Sequence, residues 1–309
     1  MGKLRFTVNC NNLVHVGSFE DWVTMAKEAD TLGYDRIRLI DHVVGYVAEN
    51  HPEVEKTPYT ARSAFQEVFV LMGYLSAVTK NIGFITGVLA LPQRQTALVA
   101  KQAAQVDIMS GGRLTLGIGI GYNTVEFQAM GASFKDRAPR VEEQIAIMRA
   151  FWTQDVVSAH GRFHDFDDVN VNPLPVQRPI PIWMGAGRMA HPVPPETVQQ
   201  RIGKYADGFM PLFRIDDATG RLADDALESL ANIRRIMDEN GRDPATLGLE
   251  IGLWTEGKSP QRIHDEIGYL VSNGVTDVLL RLPDEAIAGQ VEWMQRFVEI
   301  RDAYHAQNS

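Results

Sequence analysis

The sequence predicts an α/β protein, a single (β/α)8 barrel with an insertion after the fourth strand. Two observations carry that prediction. Short apolar runs alternate with longer amphipathic ones in eight strand–helix units. Strands three, four, six and eight are nearly continuous apolar runs, as parallel strands covered on both faces require. At 309 residues the length would also allow two domains. Eight units in regular order instead favour one barrel over residues 1–309.

The units follow in order. Leu4 to Asn9 is the first strand; Ser18 caps a helix that runs to about Leu32, and Gly33 stops it. Asp35 to Ile40 is the second strand. A loop from Asp41 to about Arg62, with Pro52 and Pro58, leads to a helix over 64–79. Ile82 to Gly87 is strand three, followed by a helix over 95–109 that ends in Ser110-Gly111-Gly112. Leu114 to Gly119 is strand four, with a short helix near 123–130 and a firm one at 137–152. The stretch 156–179 has no helical period, carries Pro173, Pro175 and Pro179, and reads as an excursion. Ile180 to Met184 is strand five, then a helix near 195–206. Strand six at 208–212 precedes a helix at 221–240, and Leu247 to Trp254 is strand seven. A helix over 259–273, strand eight at 277–282 and a helix near 284–305 close the chain.

Charge and composition narrow the function classes. Lys and Arg number 30 against 39 Asp and Glu, for a formal charge of −9. That argues against a general binder of nucleic acid or anionic membrane, which wants a basic face. A local basic pocket for one anionic ligand stays compatible with it. Cys10 is the single cysteine, so no intrachain disulfide forms and a reducing compartment fits. The start Met1-Gly2-Lys3-Leu4-Arg5-Phe6 has no apolar signal segment and no Ser or Thr at position 6 for a myristoylation signal. No stretch approaches eighteen apolar residues. The expectation is a cytoplasmic protein acting on a small-molecule substrate.

In a barrel, ligands sit at the C-terminal ends of the strands, so the residues just after each strand are the ones to read. Asp41-His42 follows strand two, and a histidine there can move a proton or hydrogen-bond a substrate. Gly185-Ala186-Gly187-Arg188-Met189-Ala190 matches a dinucleotide fingerprint after an apolar strand. Pro192, Pro194 and Pro195 interrupt the helix that should start there, which argues against it. A softer reading keeps backbone N–H groups at 185–188, with Arg188 beside them, as a phosphate site. Gly252 to Ser259 matches the P-loop pattern, but Trp254 and Glu256 are awkward against phosphates. Ser259 as an N-cap with Pro260 behind it explains the match structurally. His160 and His164 are four apart without a helix, and no H-E-x-x-H or C-x-x-C occurs, so no metal site is expected. Cys10 reads as a buried inert thiol.

The segment TGVLALPQRQTALVAKQAAQVDIMSGGRLTLGIGIGYN at 86–123 is joined by RLIDHV at 38–43 and RVEEQIAIMRAFWTQD at 140–155. With NPLPVQRPIPIWMGAG at 172–187 and YADGFMP at 205–211, the set resembles the luciferase-like monooxygenase family. That family shares the barrel with an insertion after strand four. It divides between monooxygenases that use reduced FMN and oxidoreductases that use the deazaflavin coenzyme F-420. Asp41-His42 resembles the Asp-His pair of the F-420 branch, whereas the FMN branch more often has Glu-His-His and this chain has Val43 third. By resemblance, Asp41 lies in the cofactor site and His42 near the reactive ring carbon as catalytic proton donor. Thr86, Gly87 and Val88 match a strand-three bulge that often holds a non-proline cis peptide behind the ring. Gly119, Gly121 and Asn123 match the strand-four lining, and Gly185, Ala186, Gly187 and Arg188 the turn that receives the phosphate. The serine usual before Asp-His is here Ile40. The activity implied is hydride transfer to or from a small organic substrate with F-420. The alternatives are an FMN monooxygenase using oxygen, and a non-catalytic ligand-binding barrel. Members of the family are often dimers, so a homodimer is expected.

Overall fold

The computed structural model describes residues 3–55 and 57–307. Met1 and Gly2, read above for a lipidation signal, lie outside them. Strand β1 (Arg5–Asn9) leads through a turn of helix, α1 (Leu13–Val16), to α2 (Phe19–Thr31). Ser18 caps α2 in a capping box: its hydroxyl accepts from the Asp21 N–H while the Asp21 carboxylate accepts from the Ser18 N–H. Then come β2 (Arg36–Leu39), α3 (Val68–Val78), β3 (Gly83–Thr86) and a two-residue β4 (Leu89–Ala90). Helix α4 (Thr96–Ser110) ends on Gly111 at φ 69°, a left-handed cap that glycine adopts without a Cβ penalty. Next are β5 (Leu114–Gly119), α5 (Thr124–Ala129) and α6 (Arg137–Thr153).

The expected excursion contains structure of its own. Strands β6 (Val157–His160) and β7 (Asp165–Val169) form an antiparallel hairpin. Phe166 stacks on Phe151 of α6 with ring centres 5.8 Å apart. The rest of β7 is mostly exposed and acidic, which hid it from an apolar pattern search. The remainder runs β8 (Ile182–Ala186), α7 (Glu196–Tyr205), β9 (Gly208–Pro211), α8 (Asp224–Glu239), β10 (Gly248–Leu253), α9 (Pro260–Ser272), β11 (Asp277–Arg281) and α10 (Ile287–Gln307). Strand five of the sequence reading therefore begins at Ile182 rather than Ile180, because Pro181 has no N–H to give a ladder. Alternating strands and helices with parallel pairing make the fold class a (β/α)8 barrel.

The chain divides into two compact units, Met1–Arg38 with Trp183–Ser309, and Leu39–Ile182. In the first, β1 pairs in parallel with β2 and β11, β11 with β10, β10 with β9, and β9 with β8. Asp277 opens β11 fully buried and holds two guanidiniums, Arg5 and Arg36, each at 2.7 Å. Trp183 of β8 lies over two glycines. A Cβ on Gly208 would come within 2.3 Å of its ring, and one on Gly248 within 2.2 Å. In the second unit, β3 and β4 both pair with β5, whose six residues are all buried. No helix among the described residues is long and apolar enough to cross a membrane.

Two outcomes test this packing. Asp277→Asn should lower unfolding free energy by about 3 kcal/mol, because it removes the one buried negative charge that two guanidiniums share. Gly208→Ala should cost about 1–3 kcal/mol through overpacking against Trp183. Urea denaturation followed by circular dichroism reads both, and wild-type midpoints would contradict the packing account.

Candidate active site

The polar residues of the second unit gather where β2, β3 and β5 end. Asp41 follows β2 and is buried. Its Oδ1 accepts from Arg94 Nη2 at 2.7 Å, and its Oδ2 has no partner among the described residues. Burial raises its pKa, and the Arg94 charge only partly offsets that. Arg94 is placed by the single turn 91–93 after β4, and its other side faces Glu67 at 3.7 Å.

His42 is held from the opposite side. Its Nδ1 lies 3.1 Å from Oε2 of Glu126, and Oε1 of the same carboxylate accepts the Val43 N–H at 2.5 Å. Glu126 sits in the first turn of α5 and is 2% exposed. Burial alone would raise its pKa, but the hydrogen bond and charge of His42, with the Val43 N–H, more than offset it. The group is therefore held below the ordinary carboxylate range and ionised at neutral pH. An ionised carboxylate only accepts, so the Nδ1 of His42 carries its hydrogen and Nε2 is the nitrogen left for chemistry. Around the imidazole stand Phe65, Tyr59 and Tyr122, with ring centres 4.8, 5.4 and 6.0 Å away. Burial pushes the Tyr122 phenol up to about 12, so it stays neutral.

The other expected residues of this unit have particular duties. Thr86 is fully buried and its hydroxyl donates to the Gly117 carbonyl at 2.6 Å, bracing β3 against β5. The Gly87–Val88 peptide is cis, at the position where the resemblance places such a bond. Gly119 is the last residue of β5 and is buried. Gly121 has φ 75°, and a Cβ there would meet the Phe127 ring at 2.6 Å, so no larger residue fits. Asn123 is the N-cap of α5, accepting from the Val125 and Glu126 N–H groups. It thus orients the helix turn that carries Glu126.

The turn 185–188 belongs to the first unit. Gly185, Ala186 and Gly187 are half-buried and Arg188 is exposed. Gly187 has φ 107°, and a Cβ on it would meet the Pro192 carbonyl at 2.5 Å. The Arg188 and His191 backbones exchange hydrogen bonds of 3.0 Å, so the Arg188 N–H is already engaged. Helix α7 starts only at Glu196, after Pro195, so no helix N-terminus follows the fingerprint directly. The P-loop lookalike also resolves locally. Ser259 caps α9, Pro260 opens it, and the Lys258 ammonium lies 3.0 Å from both Glu266 and Asp217. Cys10 is fully buried, which pushes its thiol pKa up and keeps it inert. His160 faces Asp165 and Asp167 while His164 faces Glu143, so the two do not converge.

Glu126 and Arg94 escaped the sequence reading, as did the aromatic walls Tyr59 and Phe65. A signal existed for the first. Asn123 and Glu126 stand at N-cap and N3, the spacing of a capping box. Here the carboxylate turns to His42 and Val43 instead of back to the cap.

Comparison with known proteins agrees with this architecture. The profile of the luciferase-like monooxygenase family matches residues 4–262. An uncharacterized protein of Mycobacterium tuberculosis is 31% identical over 276 residues, 85% of each chain. An FMNH2-dependent dimethylsulfone monooxygenase of Pseudomonas putida is 32% identical over 171 residues, 54% of this chain and 43% of that one. The solved structure of an F-420-dependent secondary alcohol dehydrogenase in complex with an F-420–acetone adduct gives a TM-score of 0.72 at 15% identity. It covers 97% of this chain and 98% of that chain, a likeness that shows the fold. With a profile match over most of its length, the chain belongs to the luciferase-like monooxygenase family and is an oxidoreductase.

Proposed function

We propose that the chain is a coenzyme F-420-dependent oxidoreductase that moves a hydride to or from a small organic substrate, with His42 as the proton-transfer group. The observation that carries this reading is the grip of buried Glu126 on His42 Nδ1. It leaves Nε2 as a directed donor or acceptor, and a proton-transfer step needs one. The residues present suit a flat polar heterocycle. Asp41 Oδ2 is a buried acceptor without a partner among the described residues. The half-buried backbone at Gly87 and Val88 suits close approach of such a ring.

When bound, the deazaflavin supplies the ring carbon that gives or takes the hydride. The protein supplies position and the proton. In the reducing direction a carbonyl carbon gains hydride and its oxygen gains a proton, which His42 delivers from Nε2. In the reverse direction His42 accepts that proton from an alcohol. Glu126 does not touch the reacting atoms in this scheme; it fixes the orientation and the tautomer of the imidazole. Phe65, Tyr59 and Tyr122 wall the imidazole with aromatic surface and limit water access. The turn 185–188 is proposed, by resemblance, to meet the cofactor phosphate through Gly185, Ala186 and Gly187 with Arg188 beside it. A cytoplasmic homodimer without nucleic-acid or membrane partners completes the proposal.

The second reading is an FMN-dependent monooxygenase that uses oxygen, favoured by the likeness to the dimethylsulfone enzyme. Titrating the purified protein with F-420 and with FMN, followed by absorbance, separates the two. F-420 binding with indifference to FMN supports the first reading, and the reverse supports the second.

Substitution tests the roles. His42→Ala should lower turnover by about 10²- to 10⁴-fold, the usual range for a positioned acid or base. Undiminished turnover would remove the proton-transfer role. Glu126→Gln tests the carboxylate through pH. Because its folded pKa is depressed, its contribution to stability is present above the ordinary carboxylate range. That contribution is lost as pH falls through the lowered value. Wild type should therefore lose more stability than Glu126→Gln as pH falls from about 5 to about 3 in urea titrations. Parallel losses would contradict the ion-pair assignment.

A further inference from the structure

The first unit carries a cationic recess at the ends of β10 and β11 that the redox reading leaves unused. Trp254, just after β10, is approached by two guanidiniums. The central carbon of Arg214 lies 4.8 Å from the ring centre and that of Arg281 lies 4.9 Å away. Both are cation–π distances. Arg38 lines the same recess, paired through Nη1 to Oε1 of Glu250 at 2.8 Å. Glu250 is buried, and burial raises its pKa. Its Oε2 and the Nε of Arg38 are both buried with no hydrogen-bond partner among the described residues. Unsatisfied polar atoms of this kind are costly unless a polar group meets them.

Three guanidiniums and one carboxylate thus line the recess, in a chain whose formal charge is −9. Arg214 is exposed, and its other contact is the Met189 sulfur at 3.9 Å. The recess measures about 20 Å³, enough for one or two water-sized atoms. Two carboxylate oxygens suit that space better than a tetrahedral phosphate. Beside it lies a hollow of about 200 Å³, lined by Pro192, Val193 and Ala226, with exposed Asp225 as its acidic member. Leu212 and Phe213, like Arg214, border both spaces.

We propose that the recess and hollow together bind a small monocarboxylate with an apolar body. The carboxylate lies toward Arg214 and Arg281, and the hydrocarbon occupies the hollow. Planar guanidiniums already oriented against an indole face lose little freedom on gripping a carboxylate. As a ligand site this stands apart from the redox reading; only the further step of calling the ligand a substrate rests on it.

Isothermal titration calorimetry of the full chain tests the site, with hexanoate, 1-hexanol and inorganic phosphate as probes. Hexanoate should bind at least ~10-fold more tightly than 1-hexanol or phosphate. Arg214→Gln should weaken hexanoate by ~10- to 100-fold, the loss expected for a charge-assisted hydrogen bond, and leave 1-hexanol unchanged. Arg281→Gln, checked for a wild-type melting curve, should do the same. Equal affinity for hexanoate and 1-hexanol, tighter binding of phosphate, or full hexanoate affinity in Arg214→Gln would overturn the proposal. Titration of the same samples with F-420 and FMN keeps the two ideas separable. Hexanoate failure with cofactor binding intact removes only this site, and cofactor failure with hexanoate binding intact removes only the redox reading.

Discussion

A parallel strand covered on both faces has no room for solvated polar chemistry along its length. Strands β3, β5, β9 and β10 obey this fully, with every residue buried. Polar groups that do enter must be paired, as Asp277 is by Arg5 and Arg36 and Glu250 is by Arg38. Everything with reactive potential is therefore displaced to strand ends. Asp41 and His42 stand after β2, the cis peptide after β3, Glu126 after β5, and Trp254 and Arg281 at β10 and β11. The distribution of chemistry in this molecule follows from the burial of its strands.

Within that distribution, carboxylates act in different ways according to their partners. Asp41 keeps a raised pKa even beside Arg94, because burial outweighs the attraction. Glu126 is also buried, yet His42 and the Val43 N–H hold it in the ionised range. Two buried acids at strand ends thus differ in their readiness to hold a proton, and only the second is hydrogen-bonded to an imidazole. The Asn123 cap matters to the same end, since it orients the turn from which Glu126 reaches out.

Much of this was legible in the sequence. Eight short runs located the strands to within two residues, most plainly β3, β5 and β9, where continuous burial leaves a continuous apolar signature. Ser18, Gly111 and Ser259 marked helix ends for local reasons that need no tertiary context. The strand-end rule brought Asp41 and His42 into view. Glu126 and Arg94 stayed hidden because their partners lie 84 and 53 residues away. Neither contact leaves a trace in local periodicity. The β6–β7 hairpin stayed hidden because it buries little beyond Val157 and half of Phe166, so no alternation appears.

The Trp183 contact has a consequence for how this sequence can vary. Gly208 and Gly248 come from different strands, β9 and β10, and meet the same indole. Arg36 lies over that ring at 4.9 Å. These positions form one packing unit whose members are not independent. A smaller residue at 183 would open space that bulk at 208 or 248 could fill, while any one change alone meets a clash or a void. Related chains should therefore exchange these positions as a set, with glycine at 208 and 248 tied to tryptophan at 183.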